Sequence, residues 1–336
     1  MMAAESISHS EHQLVSIVIP VFGSTAVLDE LVSRLNAVLD GHTKNGEIIL
    51  VEDGGPEENW IAIATLARTV ESVIGVRLSR NFGQQEAIAA GIAEAAGDVV
   101  IVMDCDLQDP PECIPRLLAA LDDGADIAIG SRVVESAGVL RNALNHGYYW
   151  ILSKLSGYQI DPQQGTFSAV RRSVADAYLS LGDLDRPYRL ILDWLGFNVT
   201  RVSFERKGRH DGRSTYSLLR LLKFAMSGVV FQSTRLLYVS IVAGVTTSAA
   251  AFLLGIYFIG RALLGNPPDG WASSIVVTLL LGGIVLLAIG MLGIYIGKIF
   301  EQTRGRPMYI VRARTGRTPN TATTQSLSAE YSKPLD

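Results

Sequence analysis

The feature that most constrains this chain is a pair of long apolar runs near its carboxyl end. Residues 236–260 and 271–297 carry no charged side chain, and a short link with Pro267 and Pro268 joins them. Each run is longer than the roughly 20 residues that cross the hydrocarbon core of a bilayer. Two buried core helices are the weaker alternative, since soluble helices of this length usually carry a polar stripe. We predict a two-helix transmembrane hairpin over residues 235–300.

Basic residues lie on the outer flanks of this hairpin. They are Arg213, Arg220, Lys223 and Arg235 before the first run, and Lys298, Arg304, Arg306, Arg312, Arg314 and Arg317 after the second. Because segments rich in Lys and Arg stay on the cytoplasmic side, we expect both termini in the cytoplasm and a multi-pass protein of the inner membrane. Residues 1–13 lack the apolar core of a signal peptide. Gly293 and Gly297 form a GxxxG pattern that is compatible with a helix-packing face, although glycine is common in membrane helices, and a homo-oligomer is left open.

The composition indicates which classes of protein the rest of the chain can belong to. Charged residues make up 18% of the 336 residues, against about 25% in an average soluble domain, which indicates a soluble part joined to a membrane part. The formal net charge of −4 argues against nucleic acid as a partner. The two cysteines are too few for a disulfide framework, and the scattered histidines match no zinc motif.

The first 210 residues alternate strand and helix signals. We predict strands over 15–20, 47–52, 73–78, 98–103 and 125–129, and helices over 27–39, 60–70, 84–96 and 114–121. This order is typical of an α/β domain with a mostly parallel, Rossmann-like sheet. Ligands bind such sheets at the carboxyl ends of the strands.

Three further segments complete the predicted organisation around a cytosolic domain at residues 14–212. Residues 213–234 include an amphipathic stretch that indicates a helix in the membrane interface, with an ordinary surface helix as the alternative. Residues 301–336 are predicted as a basic cytoplasmic segment that leads into a disordered tail.

An acidic motif follows the very apolar fourth strand. Asp104 and Asp106 are two residues apart, and Gln108 follows them ahead of Asp109 and two prolines. Carboxylate and amide oxygens suit Mg²⁺ or Mn²⁺, which commonly bridge to the phosphates of a substrate. The alternative is a polar loop with two helix-capping aspartates, but the position directly after a strand favours the metal site.

Other strand ends also carry candidate residues. Asp53, followed by Gly54 and Gly55, could accept from a uracil or guanine edge, or could cap the next helix, and the residues leave both open. Residues 79–84 open a helix whose N-terminus could receive an anion. Arg132 follows the fifth strand and could clamp a diphosphate. The chain lacks GxGxxG and P-loop motifs.

A basic cluster precedes the predicted interfacial helix and consists of Arg201, Arg206, Lys207, Arg209 and Arg213. It could hold anionic lipid headgroups or neutralise an acceptor phosphate at the membrane surface, and both interpretations are compatible with its position.

Taken in order, the motifs resemble those of the family 2 glycosyltransferases. The matching runs are IPVF, VEDGG, LSRNFGQQEAIAAG, MDCDLQDPPE, GSR and WLGF…RKGRHDGRSTY. More narrowly, they are similar to polyprenyl-phosphate glycosyltransferases related to dolichol-phosphate mannosyltransferase, in the bacterial form with a two-span hairpin. The resemblance covers about residues 14–312. It implies a GT-A type nucleotide-sugar-binding domain, a UDP- or GDP-sugar donor, a divalent cation, and polyprenyl phosphate as acceptor in the bilayer.

The resemblance also implies roles for individual residues. It places the nucleotide pocket at Pro20, Val21, Val51 and Asp53. It places the metal at Asp104, Asp106 and Gln108. It assigns phosphate binding to Arg132, Arg206, Arg209 and Ser214, with Arg141 as a further candidate, and it makes Asp161 a possible catalytic helper, against the alternative of a turn aspartate before Pro162.

This chain departs from the usual family pattern in three places. It has Gly23 and Ser24 where the family has Asn-Glu, a Glu52-Asp53-Gly54-Gly55 run in place of DDGS, and Thr166 within a Gly-Thr-Phe-Ser run where an Asp-Phe-Arg element is common. These departures bear on the identity of the donor more than on activity.

We therefore predict a membrane-bound, metal-dependent and inverting enzyme. It would transfer a sugar from a nucleotide-diphospho-sugar to undecaprenyl or another polyprenyl phosphate, for modification of a cell-envelope glycan such as lipopolysaccharide. The alternative of another class is a membrane adaptor or flippase component that binds a sugar nucleotide without transferring the sugar. A processive polysaccharide synthase would be expected to carry more spans and a QxxRW-like motif, which this sequence lacks.

Overall fold

The computed structural model describes residues 14–23, 25–42, 45–133, 164–183, 186–205 and 270–316, with separate positions between 242 and 264. The chain divides into two compact units. The sheet unit comprises Met1–Ala137, Asp161–Arg213 and Pro307–Asp336. The apolar unit comprises Gly138–Ile160 and Ser214–Arg306.

The sheet unit is built on one eight-stranded sheet in the order β7-β5-β6-β4-β1-β2-β3-β8. The strands are β1 (Leu14–Val21), β2 (Asn45–Glu52), β3 (Val73–Leu78), β4 (Val99–Val102), β5 (Ile127–Val133), β6 (Gln164–Arg171), β7 (Val199–Glu205) and β8 (Val311–Thr315). β6 and β8 pair antiparallel with their neighbours, and the other strands run in one direction. The predicted mostly parallel sheet is confirmed.

Helices cover both faces of this sheet. They are α1 (Leu28–His42), α2 (Glu57–Thr69), α3 (Gln84–Glu94), α4 (Ile114–Asp122), α5 (Arg172–Ser180) and α6 (Tyr188–Trp194), with a 3₁₀ turn at Pro111–Cys113. One core cluster packs α1, α2 and α4 on one face, and a second packs α3, α5 and α6 on the other. The central strands are therefore apolar on both sides, which explains their nearly continuous hydrophobic runs.

The structure confirms the five predicted strands and four predicted helices and corrects some of their ends. β5 continues through Val133 instead of ending at Ile129, because it pairs with β7 as far as the Val133–Glu205 position. Arg132 consequently lies within a strand rather than in a loop after it. Neither β6 nor β7 was expected from the sequence, and β6 inserts antiparallel between β4 and β5.

The segment after the second apolar run also needs a correction. We predicted residues 301–336 as a basic cytoplasmic segment that leads into a disordered tail, but Val311–Thr315 forms β8 and pairs with β3. Arg314 also donates two hydrogen bonds to Glu94 Oε1, at 2.9 and 2.6 Å. β8 covers what would otherwise be an open strand edge, which explains why this short basic segment is ordered.

In the apolar unit, α7 (Trp271–Thr303) contains 33 residues, six more than the predicted run. It is about 50 Å long at 1.5 Å per residue, which exceeds the roughly 30 Å of a hydrocarbon core. Its Leu280–Thr303 part is apolar enough to cross a membrane, and an apolar helix at Gly244–Tyr257 is shorter. Eleven of the 25 residues of the first predicted run and all of residues 213–234 lie outside the described residues, so the hairpin and the interfacial helix stay predictions.

Candidate active site

The polar residues that follow β1 to β4 meet in one cavity at the carboxyl edge of the sheet. The cavity has a volume of about 390 Å³. Its lining includes Pro20 at the end of β1 and Phe22 after it, Asp53 after β2, Asn81 and Gln84 after β3, and Asp104, Cys105 and Asp106 after β4. Four successive parallel connections bring these loops together, as expected for an open α/β sheet.

Both aspartates of the acidic motif contribute to the wall of this cavity. Asp106 is exposed, and its carboxylate accepts hydrogen bonds from the backbone N–H and side-chain amide of Gln108. Gln108 is 5% exposed and Asp109 is fully buried. Between Asp106 and Gln108, Leu107 adopts a φ of 59°, in a region that non-glycine residues seldom occupy. The loop is therefore held in a specific and strained conformation.

The donor set of this loop fits a hard divalent cation that is shared with a substrate. Asp104 and Asp106 offer carboxylate oxygens to the same cavity. The described residues contain no group of three His, Cys, Asp or Glu side chains that could hold a metal on their own. Mg²⁺ is often bound through one or two carboxylates, with substrate phosphates as further ligands. Gln108 donates to Asp106, so its predicted role as a direct ligand stays a prediction.

Asp53 connects two of the loops. Its Oδ1 accepts a hydrogen bond from the Phe82 N–H at 2.7 Å, and its Oδ2 accepts one from the Gly83 N–H at 2.9 Å. Helix α2 begins after Pro56 without a side-chain cap, so the alternative that Asp53 caps this helix is wrong. Burial raises the pKa of Asp53, and the two N–H bonds oppose that rise. The predicted anion site at the start of α3 is therefore occupied by the Asp53 carboxylate of the protein itself.

A buried ion pair stands next to Asp53. Arg77 Nε donates to Glu52 Oε2 at 3.2 Å, and its two terminal nitrogens donate to Glu57 at 3.0 and 2.6 Å. Glu52 is fully buried and also accepts a hydrogen bond from the Gly55 N–H. Burial raises the pKa of Glu52, while Arg77 and the Gly55 N–H lower it. The glutamate that replaces the usual aspartate therefore anchors the loop that carries Asp53.

Two of the residues assigned to the nucleotide pocket do not line the cavity. Val21 and Val51 are 1% and 0% exposed and pack in the two core clusters. Both sheet faces are covered by helices, so a side chain on either face of a strand end is buried here. Pro20 and Asp53 do line the cavity, and their contact with a nucleotide stays a prediction.

The remaining predicted site residues are not tested by the structure. Arg132 lies in β5, opposite Phe204 of β7, and its side chain is outside the description. Five further residues lie outside the described part of the chain, namely Arg141, Asp161, Arg206, Arg209 and Ser214. Their assignments stay predictions.

Phe22 and Thr166 were not foreseen as site residues. Phe22 lines the cavity just after β1 and is 66% exposed. Thr166 hydrogen-bonds Asp104, as does Gln84, which belongs to the candidate anion site at residues 79–84. Thr166 belongs to β6, which the sequence did not predict. The Glu52–Arg77 pair did leave a signal, because each residue is the charged position at or near the end of one of two neighbouring apolar strands.

Comparisons with known proteins show the family to which this chain belongs. Residues 16–179 match the family model for glycosyl transferase family 2. A glycosyltransferase of Bacillus subtilis (strain 168), described as uncharacterized, is 32% identical over 309 residues, which cover 91% of this chain and 96% of that protein. The bactoprenol glucosyl transferase of Shigella phage SfX is 32% identical, with coverage of 89% and 99%.

A third relative is the undecaprenyl-phosphate 4-deoxy-4-formamido-L-arabinose transferase of Serratia proteamaculans (strain 568). It is 30% identical over 312 residues, which cover 91% of this chain and 95% of that protein. The similarity thus extends beyond the sheet unit to almost the whole chain. The resemblance drawn from the motifs is confirmed, and the chain belongs to glycosyl transferase family 2 and is a glycosyltransferase.

Proposed function

We propose that this glycosyltransferase transfers a sugar from a nucleotide-diphospho-sugar to a polyprenyl phosphate at a membrane, with a divalent cation. The observation that carries the proposal is the cavity in which Asp53, Asp104 and Asp106 meet at the carboxyl edge of the sheet. The choice of acceptor is supported by two relatives that align over nearly their whole length and are named for bactoprenol and undecaprenyl phosphate.

The donor half of the site is assigned to residues of the sheet unit. Asp104 and Asp106 would hold Mg²⁺ or Mn²⁺, with Gln108 fixing Asp106 through two hydrogen bonds. When bound, the cation neutralises charge on the leaving diphosphate. Asp53 and Gly54 hold the loop beside the cavity, and the exposed Phe22 contributes to the cavity wall.

The residues assigned to the acceptor half of the site are inferred from the sequence. A lipid phosphate is already anionic near neutral pH, so its attack on the anomeric carbon needs little help from a base. Arg206, Arg209 and Ser214 would hold this phosphate, and Arg132 and Arg141 would bind the donor diphosphate. Catalysis would then consist mainly of positioning and charge stabilisation. Attack from the face opposite the leaving group would invert the anomeric configuration.

The topology of the sheet supports two membrane crossings. The chain leaves the sheet after β7 and returns to the same sheet at β8. Between them lies α7, which is long and apolar enough to cross a membrane once. A chain that returns to its starting side must cross an even number of times, so one crossing by α7 requires another within residues 206–270. The charge-free run at 236–260 is the segment of suitable length.

The proposal is tested by assaying the purified full-length protein in detergent with radiolabelled UDP- and GDP-sugars, Mg²⁺ or Mn²⁺, and undecaprenyl phosphate. We expect one donor to deliver label to the organic phase. Undecaprenol, which lacks the phosphate, should accept none. Donor binding without transfer to the lipid phosphate would favour the non-catalytic adaptor instead.

A further inference from the structure

The carboxylate of Asp104 is held by two side chains from different elements. Gln84 Nε2, at the start of α3, donates to Asp104 Oδ1 at 2.7 Å. Thr166 Oγ1, in β6, donates to the same oxygen at 3.1 Å. An ionised carboxylate only accepts hydrogen bonds, so both side chains must present their donors to it. Two donors on one oxygen restrict the rotation of the carboxylate.

Thr166 is in turn held by a buried hydrogen-bond chain. Ser168 Oγ donates to the Thr166 carbonyl oxygen at 3.1 Å and lies 3.0 Å from the Tyr188 hydroxyl. Because the single Ser168 hydroxyl proton serves Thr166, the Tyr188 hydroxyl must donate to Ser168. Ser168 and Tyr188 are 0% and 1% exposed. Burial raises the pKa of Tyr188 far above its ordinary value, so this donor keeps its proton at physiological pH.

The series of hydrogen bonds closes into a ring at the start of α3. The backbone N–H of Tyr188, the first residue of α6, donates to Gln85 Oε1 at 2.7 Å. Gln85 is the covalent neighbour of Gln84, which contacts Asp104. The ring thus passes through Gln84, Asp104, Thr166, Ser168, Tyr188 and Gln85, and links α3, β6 and α6 to the loop after β4.

We propose that Thr166 and Gln84 are positioning residues for Asp104, and that this ring fixes the Asp104 carboxylate for binding of a divalent cation. The inference rests on the proposed function, in which Asp104 is a cation ligand. Side chains that orient a metal ligand typically change metal affinity 10- to 100-fold when they are removed. If the ring had only a structural role, removing one of its side chains would lower the stability of the fold and leave the cation affinity unchanged.

The test measures Mn²⁺ affinity by electron paramagnetic resonance on the purified full-length protein in detergent. Either UDP or GDP is present, according to which nucleotide the wild type binds. The variants are Thr166→Val, which removes the hydroxyl at nearly constant shape, Thr166→Ser, which restores it, and Gln84→Ala. Thr65→Val is the matched control, because the Thr65 hydroxyl bonds only to the Ile61 carbonyl on the surface of α2.

We expect Thr166→Val and Gln84→Ala each to weaken Mn²⁺ binding by about tenfold or more. Thr166→Ser and Thr65→Val should bind Mn²⁺ like the wild type. Thermal midpoints measured on the same samples separate an effect on affinity from an effect on folding. If Thr166→Val does not fold, Gln84→Ala decides the question, because Gln84 is on the exposed side of the ring.

The possible failures can be told apart. If the wild type binds Mn²⁺ and the Thr166→Val and Gln84→Ala variants bind it equally well, the inference is overturned and the proposed function stands. If the wild type binds no Mn²⁺ with either nucleotide, the metal-dependent function is overturned, and the inference falls with it.

Discussion

Asp53 and Gly83 are 30 residues apart in the chain, yet Asp53 Oδ2 accepts a hydrogen bond from the Gly83 N–H at 2.9 Å. The bond joins the loop after β2 to the loop after β3 at the edge of the cavity. Gly54 makes this approach possible. It adopts a φ of +63°, and a Cβ there would lie 2.0 Å from the Arg80 carbonyl carbon. The two loops therefore form one rigid wall of the site.

Replacing Gly54 by alanine should separate these loops. The positive φ alone costs about 1–2 kcal/mol for an alanine, and the contact with the Arg80 backbone adds to that cost. The matched control is Gly196→Ala, because Gly196 has a φ of +74° and a Cβ there would have no neighbour within 4 Å. We expect Gly54→Ala to lower the thermal midpoint more than Gly196→Ala and to weaken nucleotide binding in calorimetry. Equal midpoints and unchanged binding would show that the close approach of the loops is unimportant.

The Glu52–Arg77 pair should matter for stability in a pH-dependent way. Arg77→Met leaves the buried Glu52 carboxylate without its cation, which typically costs about 3–5 kcal/mol. Burial already raises the pKa of Glu52, and loss of Arg77 should raise it further. As the pH falls, Glu52 becomes protonated in the folded variant and the uncompensated charge disappears. The loss of stability should therefore be greater at pH 8 than at pH 5.

Thermal unfolding of the wild type and Arg77→Met at both pH values checks this prediction. Glu57→Gln is the control, since Glu57 is 61% exposed in its ion pair with Arg77 and its replacement should change little. A difference between wild type and Arg77→Met that grows toward acid pH would contradict the assignment of the buried charge.

β8 should stabilise the sheet unit although it follows the predicted hairpin in sequence. A chain that ends at Arg306 loses β8, the Arg314–Glu94 ion pair and the cover over the edge of β3. Loss of about 2 kcal/mol would lower the thermal midpoint by about 4–8 °C in a domain of this size. A chain that ends at Arg317 keeps β8 and serves as the control. Equal midpoints for the two truncations would mean that β8 contributes no stability.

The same return to the sheet predicts the location of the carboxyl terminus. A fluorescent protein fused after Asp336 should fluoresce in the cytoplasm, and an alkaline phosphatase fused at the same place should be inactive. The paired fusions control for expression of each chimera. An active phosphatase with a dark fluorescent protein would require an odd number of crossings and would contradict the two-span proposal.

β1 to β4 and the start of β5 could be predicted because each is a short apolar run, and the first four runs stop at polar or proline residues. The loops after β1 to β4 carry most of the cavity residues. β8 was missed although its Val-Arg-Ala-Arg-Thr sequence alternates half-buried and exposed residues with the period of a half-exposed strand. Its five residues do not show that it pairs with β3. Local sequence does not contain that partner.

The hydrogen bonds within the site were harder to predict from the sequence than the residues that form it. Asp53 and Asp104 were identified as candidate residues, but their hydrogen-bond partners come from loops and strands distant in sequence. Asp53 bonds the backbone of Phe82 and Gly83, whose N–H groups carry no sequence signature. Thr166 reaches Asp104 only because β6 inserts beside β4, and nothing in the local sequence predicts that insertion.

The central claim is cation-dependent transfer of a sugar to a polyprenyl phosphate through the acidic loop. It is tested most directly by the initial rate of label transfer from the nucleotide sugar to undecaprenyl phosphate in Asp106→Asn, with Asp40→Asn, exposed on α1, as the matched control. We predict that Asp106→Asn lowers the rate by about a hundredfold or more, because it removes a few kcal/mol of charge stabilisation. Asp40→Asn should keep the wild-type rate, and chelation should abolish it. A near wild-type rate in Asp106→Asn, or an undiminished wild-type rate in chelated, metal-free buffer, would contradict the account.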